Sequence, residues 1–134
     1  MALRLTLSNR LENQKLLEDF IQKWAQQRGL SANRRTALPR VAGTIFRHLV
    51  TQAYRPPQPG SISISLEEKG PRLCLVFEDD APAHSPEVLN GLTTPEAHKQ
   101  NVPSNSKKSQ PIAESLIYYR TGDRKNRLVV FLTL

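Results

Sequence analysis

The sequence has one cysteine, one tryptophan, four phenylalanines and three tyrosines, and it has no apolar run near the roughly eighteen residues of a membrane span. Each shortage removes a class of function. A lone thiol, Cys74, forms no intrachain disulfide and has no second cysteine for a metal set or a redox pair. It lies in the apolar run RLCLVFE, so it reads as a buried structural thiol. The basic residues are not interleaved with aromatics, the pattern that stacks bases, so no single-strand nucleic-acid motif is present. His84 and His98 have no paired spacing, which argues against a metal site. The N-terminus MALRLTLSNR alternates instead of presenting a signal-type apolar block, and a soluble, cytoplasmic protein with no membrane partner is expected. No internal repeat is found.

What is present fits one compact domain spanning 1–134, since a chain of 134 residues with 38% hydrophobic content supports one core and is short for two. Nineteen Lys and Arg against twelve Asp and Glu give a formal charge of +7. That field attracts acidic protein surfaces, nucleic acids and anionic ligands alike, and does not choose among them. The cations are spread over Arg34, Arg35, Arg40 and Arg47, then Lys107 and Lys108, then Arg120, Arg124, Lys125 and Arg127.

Leu3, Leu5 and Leu7 alternate with Arg4 and Thr6, the period of a half-buried strand over residues 2 to 7. Leu16, Leu17, Phe20, Ile21 and Trp24 recur at helical spacing, with Lys15, Glu18, Asp19 and Lys23 opposite and Gly29 as a stop. A second helical pattern runs through Val41, Ile45, Leu49 and Tyr54. Ser31 is placed to cap an early turn, and Pro39 either opens the main helix or kinks it. Arg55-Pro-Pro-Gln-Pro-Gly60 closes that helix. Ile62, Ile64 and Leu66 alternate with serines as a strand, Glu68 to Pro71 reads as a turn, and Leu73 to Phe77, apolar on both faces, reads as a central strand. From Asp80 to about Gln110 the chain is polar and rich in Pro, Ser and Asn, a long loop with 84–111 as a flexible, lid-like part. Leu116 to Arg120 and Leu128 to Leu134 read as two strands joined by a basic hairpin loop. This order implies an α/β (α+β) two-layer sandwich, one mixed or antiparallel sheet with helices on a single face.

The residues Arg28-Gly29-Leu30-Ser31 at the helix junction, Gln52-Ala53-Tyr54 before a proline-rich turn, Phe77-Glu-Asp79 ending a central strand, and the ending Tyr119-Arg-Thr-Gly-Asp-Arg-Lys-Asn126 make up a layout. It resembles the anti-sigma-factor serine/threonine kinase branch of the GHKL, or histidine kinase-like, ATPase superfamily, the Bergerat fold. The resemblance covers nearly the whole chain, in layout more than in identity, and implies a largely antiparallel sheet. In that family Gln52-Ala53-Tyr54 corresponds to His-Ala-Tyr, which sets the family's magnesium-binding Asn on His48 and its catalytic Glu on Thr44. Asp79 matches the carboxylate that accepts from the adenine amino group, and the glycines that follow it in the family are Ala81 and Ala83 here.

Each departure removes a physical job. Magnesium prefers oxygen donors, and a neutral imidazole at His48 suits it poorly. Thr44 cannot accept a proton near neutral pH as a carboxylate does. Ala81 and Ala83 add methyls where the backbone approaches a nucleotide. The family's Gly-x-Gly phosphate cradle has no counterpart between Asn101 and Ala113. Lys107 and Lys108 there read as solvated charges ahead of phosphate ligands. His48 reads as a packed histidine ahead of a ligand. Asp79 has two readings, an adenine acceptor remnant and a carboxylate closing a strand into a turn.

The resemblance thus implies a non-catalytic relative with no catalytic residue retained and an ATP-site remnant of Asp79, Ala81, Ala83 and His48. It implies no cofactor, or ATP and magnesium if the site still functions. A protein partner follows from it, a sigma factor or an STAS-domain antagonist in bacterial partner switching, with homodimerisation as a family habit. Two other classes stand beside it: a working ATP-dependent serine/threonine kinase, and a basic nucleic-acid-binding protein.

Overall fold

In the computed structural model, residues 2–54, 58–82 and 113–133 are described. Five strands form one open sheet: β1 (Ala2–Ser8), β2 (Ser61–Lys69), β3 (Arg72–Asp79), β4 (Ala113–Arg120) and β5 (Asn126–Thr133), in the spatial order β1-β2-β3-β5-β4. Every pairing is antiparallel, so the described sheet has no parallel pair and is antiparallel, not mixed. Two helices, α1 (Asn13–Gln27) and α2 (Ala32–His48), lie between β1 and β2 in sequence, and a π-helical turn (Leu49–Ala53) extends α2. The fold is α+β. No helix among the described residues is long and apolar enough to cross a membrane.

Alternation sets which side of the sheet is buried. Leu7 of β1, Ile62, Ile64 and Leu66 of β2, Leu73, Leu75 and Phe77 of β3, and Leu128, Val130 and Leu132 of β5 share one parity and enter one core with residues of both helices. β3 is central in the sheet, in line with its apolar sequence. Its outward side chains are unequal: Cys74 is buried while Val76 and Glu78 are half-buried. Burial pushes the Cys74 thiol above its ordinary range, in keeping with an inert structural cysteine. On the same outer face Ile117 and Tyr119 of β4 stand exposed.

The helices differ from their sequence reading in detail. α1 buries Leu17, Ile21, Trp24 and Ala25, whereas Leu16 is 53% exposed and Phe20 only half-buried. The seam is therefore rotated away from Leu16, because Ala25 and not Leu16 completes the stripe with Ile21. Gly29 at φ +72° ends the helix in the left-handed region, where a side chain would be strained. α2 starts early. Ser31 caps it, its hydroxyl accepting from the Arg34 amide, and Pro39 lies buried inside it without opening it. The flanking burial of Leu38, Val41, Ala42 and Ile45 offsets the hydrogen bond a proline omits.

One local choice in α2 runs against helix physics. Its first turn has no acidic residue and places Arg34 three residues after the cap, where a glutamate would complete a capping box and favour the helix dipole. Arg34→Glu is accordingly expected to raise the unfolding free energy by about 0.5 kcal/mol or more. Urea titration of both proteins checks it, and an unchanged or lower midpoint counts against the assignment.

Candidate functional site

Asp79 ends β3 and Asn126 begins β5, and the register sets them directly opposite each other on the core side of the sheet. They are the two polar residues that the described core buries, at 2% and 1% exposure. The Asn126 amide nitrogen donates to Asp79 Oδ1 at 2.8 Å and also meets the carbonyl oxygens of Ala81 at 2.9 Å and Pro82 at 3.0 Å. Its side-chain oxygen accepts from the Tyr118 hydroxyl at 2.6 Å and from Arg120 Nη1 at 2.9 Å. The Ala81 amide donates to Asp79 Oδ1 at 3.0 Å, a bond between residues two apart that turns the chain out of β3. Ala81 itself is 1% exposed. A buried carboxylate costs free energy unless hydrogen-bonded, and Asn126 together with the Ala81 amide supplies that bonding.

A second polar cluster lies one residue further on. The Tyr54 hydroxyl donates toward Asp80 Oδ1 at 2.5 Å and Ser61 O at 3.1 Å, and it accepts from the Asp80 amide at 3.2 Å. Burial, then the hydrogen bond to Asp80, pushes the Tyr54 phenol well above its ordinary value near 10, with the charge of Asp79 adding to the shift. Gly60 is held against the Tyr54 ring so closely that a Cβ there would lie 2.3 Å from Cε1, so only glycine fits. Asn9 holds the same segment, its Oδ1 accepting from the Gly60 amide at 2.9 Å. A cavity of about 790 Å³ opens beside Tyr54, lined by Ser8, Asn9, Val50, Thr51 and Pro59 among others. Of the described residues carried over from the resemblance, Asp79, Ala81 and His48 do not line it.

Of the carried-over residues, the fold joins Asp79 and Ala81 by a direct hydrogen bond. Thr44 is exposed on α2, and His48, one turn later, is half-buried. Ala83, His84, His98, Lys107 and Lys108 and the expected lid-like segment 84–111 lie outside the described residues. Asn126, Tyr118 and Arg120 were not among the sequence candidates. A signal for Asn126 exists: it is the polar exception in the inward series Asn126, Leu128, Val130, Leu132, as Asp79 is in Leu73, Leu75, Phe77, Asp79. Two polar exceptions at the same end of antiparallel neighbours face each other. Among the described residues, no group of three or more His, Cys, Asp and Glu side chains is arranged to hold a metal ion. No protein-family model and no curated protein sequence matches the chain.

Proposed function

We propose that this chain is a non-catalytic, Bergerat-type regulatory domain that acts by binding a protein partner, a sigma factor or an STAS-domain antagonist, with ATP binding lost. The observation that carries this reading is the state of Asp79. The one polar residue matched to the family's nucleotide site is 2% exposed and already hydrogen-bonded by Asn126 and the Ala81 amide. Both bonds fall on Oδ1, and at 2% exposure the carboxylate reaches an adenine amino group only if the segments packed over it move aside.

The remaining positions do not fit magnesium nucleotide either. Thr44 offers an exposed hydroxyl where the family has a carboxylate, and His48 offers a nitrogen donor where a hard cation takes oxygen. The buried methyl of Ala81 occupies space that a glycine leaves open to a ligand. Homodimerisation belongs to the same proposal, supported by the exposed Ile117 and Tyr119 on the sheet face opposite the described helices.

The purified protein, incubated with radiolabelled ATP and magnesium, is expected to hydrolyse no ATP and transfer no phosphate above a buffer blank. Turnover that Asp79→Asn abolishes would establish the competing reading, an active serine/threonine kinase.

A further inference from the structure

Residues 32–53, covering α2 and its π-helical extension, contain four arginines and no aspartate or glutamate. The core takes one side of this segment, from Leu38 through Val41, Ile45 and Phe46 to Leu49 and Ala53. The other side presents Thr36, Arg40, Thr44, Arg47 and Thr51, all exposed and spaced by three or four residues along one line. Arg40 and Arg47 stand two helical turns apart, about 10 Å along the axis. Ion pairs among the described residues involve Arg10, Lys15, Arg28, Lys69 and Arg127, and none of the four α2 arginines has a carboxylate of a described residue within 4.0 Å. Arg34 and Arg35 add positive charge at the helix end where the backbone dipole opposes it. Charge kept against local stability, with no ion pair to the described residues, marks a surface with an outside counterpart.

We propose that this stripe receives an acidic amphipathic helix of a protein partner, its carboxylates seven residues apart meeting Arg40 and Arg47. The proposal rests on the partner-binding reading above and names the surface and the partner's chemistry. It also gives Thr44 a role: a short neutral side chain between two guanidinium groups leaves room for a helix to approach, where a glutamate would repel it. A protein helix fits better than nucleic acid, because the stripe carries two cations separated by threonines and no aromatic residue for base stacking.

The test uses the full chain and a fluorescein-labelled alanine-rich helical peptide with glutamates at every third or fourth position along one face. Anisotropy at low ionic strength is expected to report saturable binding, weakened about tenfold in Arg40→Glu/Arg47→Glu, whereas Lys15→Glu/Lys23→Glu, with the same change in net charge, binds as the parent. The lysine counterpart of the peptide is expected to prefer the Arg40→Glu/Arg47→Glu protein. Equal loss in both double variants, absence of peptide binding, or tighter binding of random duplex DNA that Arg40→Glu/Arg47→Glu abolishes would each overturn the proposal. The domain reading fails separately, through ATP turnover dependent on Asp79. A protein without turnover that ignores the peptide keeps the domain reading and loses the stripe.

Discussion

Asn126→Ala is expected to lower the unfolding free energy by about 3 kcal/mol, read as a shift of the urea midpoint. The substitution removes the amide that donates to Asp79 Oδ1 and to the carbonyls of Ala81 and Pro82, and the oxygen that accepts from Tyr118 and Arg120. An ordinary hydrogen bond contributes about 1 kcal/mol net, but a buried charged acceptor stripped of a donor costs more. Asn126→Leu removes the same donor with a side chain of like branching and greater volume, and so separates the lost donor from the cavity that alanine leaves. Both variants near the parent midpoint would mean that Asp79 is satisfied without Asn126.

This network also marks the limit of what the sequence discloses. The alternation of Leu3, Leu5 and Leu7, the inward series of β2 and β3, the Ser31 cap and the Gly29 stop are local, and each appears where expected. The two polar ends of β3 and β5 are 47 residues apart. Their meeting depends on the register of a hairpin and on β5 pairing between β3 and β4. The periodicity puts Leu16 on the buried face of α1 and the structure exposes it, because the helix has more apolar positions than one stripe holds and packing selects among them. The antiparallel pairing of every described strand was one of two readings left open by element order. Of the candidate site, the placement of Asp79 at the end of a central strand was legible. Its partner Asn126 was not, because it comes from the other end of the chain, whereas the bond from the Ala81 amide is the local, turn-closing one.

Tyr54 is expected to make folding stability fall as pH rises above about 10. The sign follows from the direction of its shift. Burial and the bond to Asp80 hold the phenol protonated in the folded chain, so its folded value lies above the unfolded one. Above pH 10 the unfolded state loses a proton that the native state keeps, so the native state binds more protons and stability declines. The contribution is complete below pH 10 and drains at up to about 1.4 kcal/mol per pH unit above it. Tyr54→Phe removes this slope and is itself weaker at neutral pH by about 1–2 kcal/mol, because the Asp80 amide and Asp80 carboxylate lose their shared partner. The difference between the two proteins' urea midpoints from pH 8 to 11 cancels the common loss of lysine charge. A constant difference would show that Tyr54 ionises in the native state as it does in the unfolded one.

These two clusters give the candidate site its character. Asp79 and Tyr54 both end their hydrogen bonds inside the protein, on backbone amides and side chains of adjoining segments. Such groups hold β3, β5 and the end of α2 together, and a site committed to internal bonding has little to offer a nucleotide. Among the described residues, exposed arginines line α2 and exposed apolar side chains stand on the outer face of the sheet.

Isothermal titration of ATP with magnesium into the parent protein and into Asp79→Asn tests the central claim most directly. The proposed reading, with Asp79 buried and bonded internally, predicts no saturable heat from either protein up to millimolar nucleotide. Micromolar binding to the parent that disappears in Asp79→Asn would contradict it, and would make Asp79 an adenine acceptor in a working ATPase site.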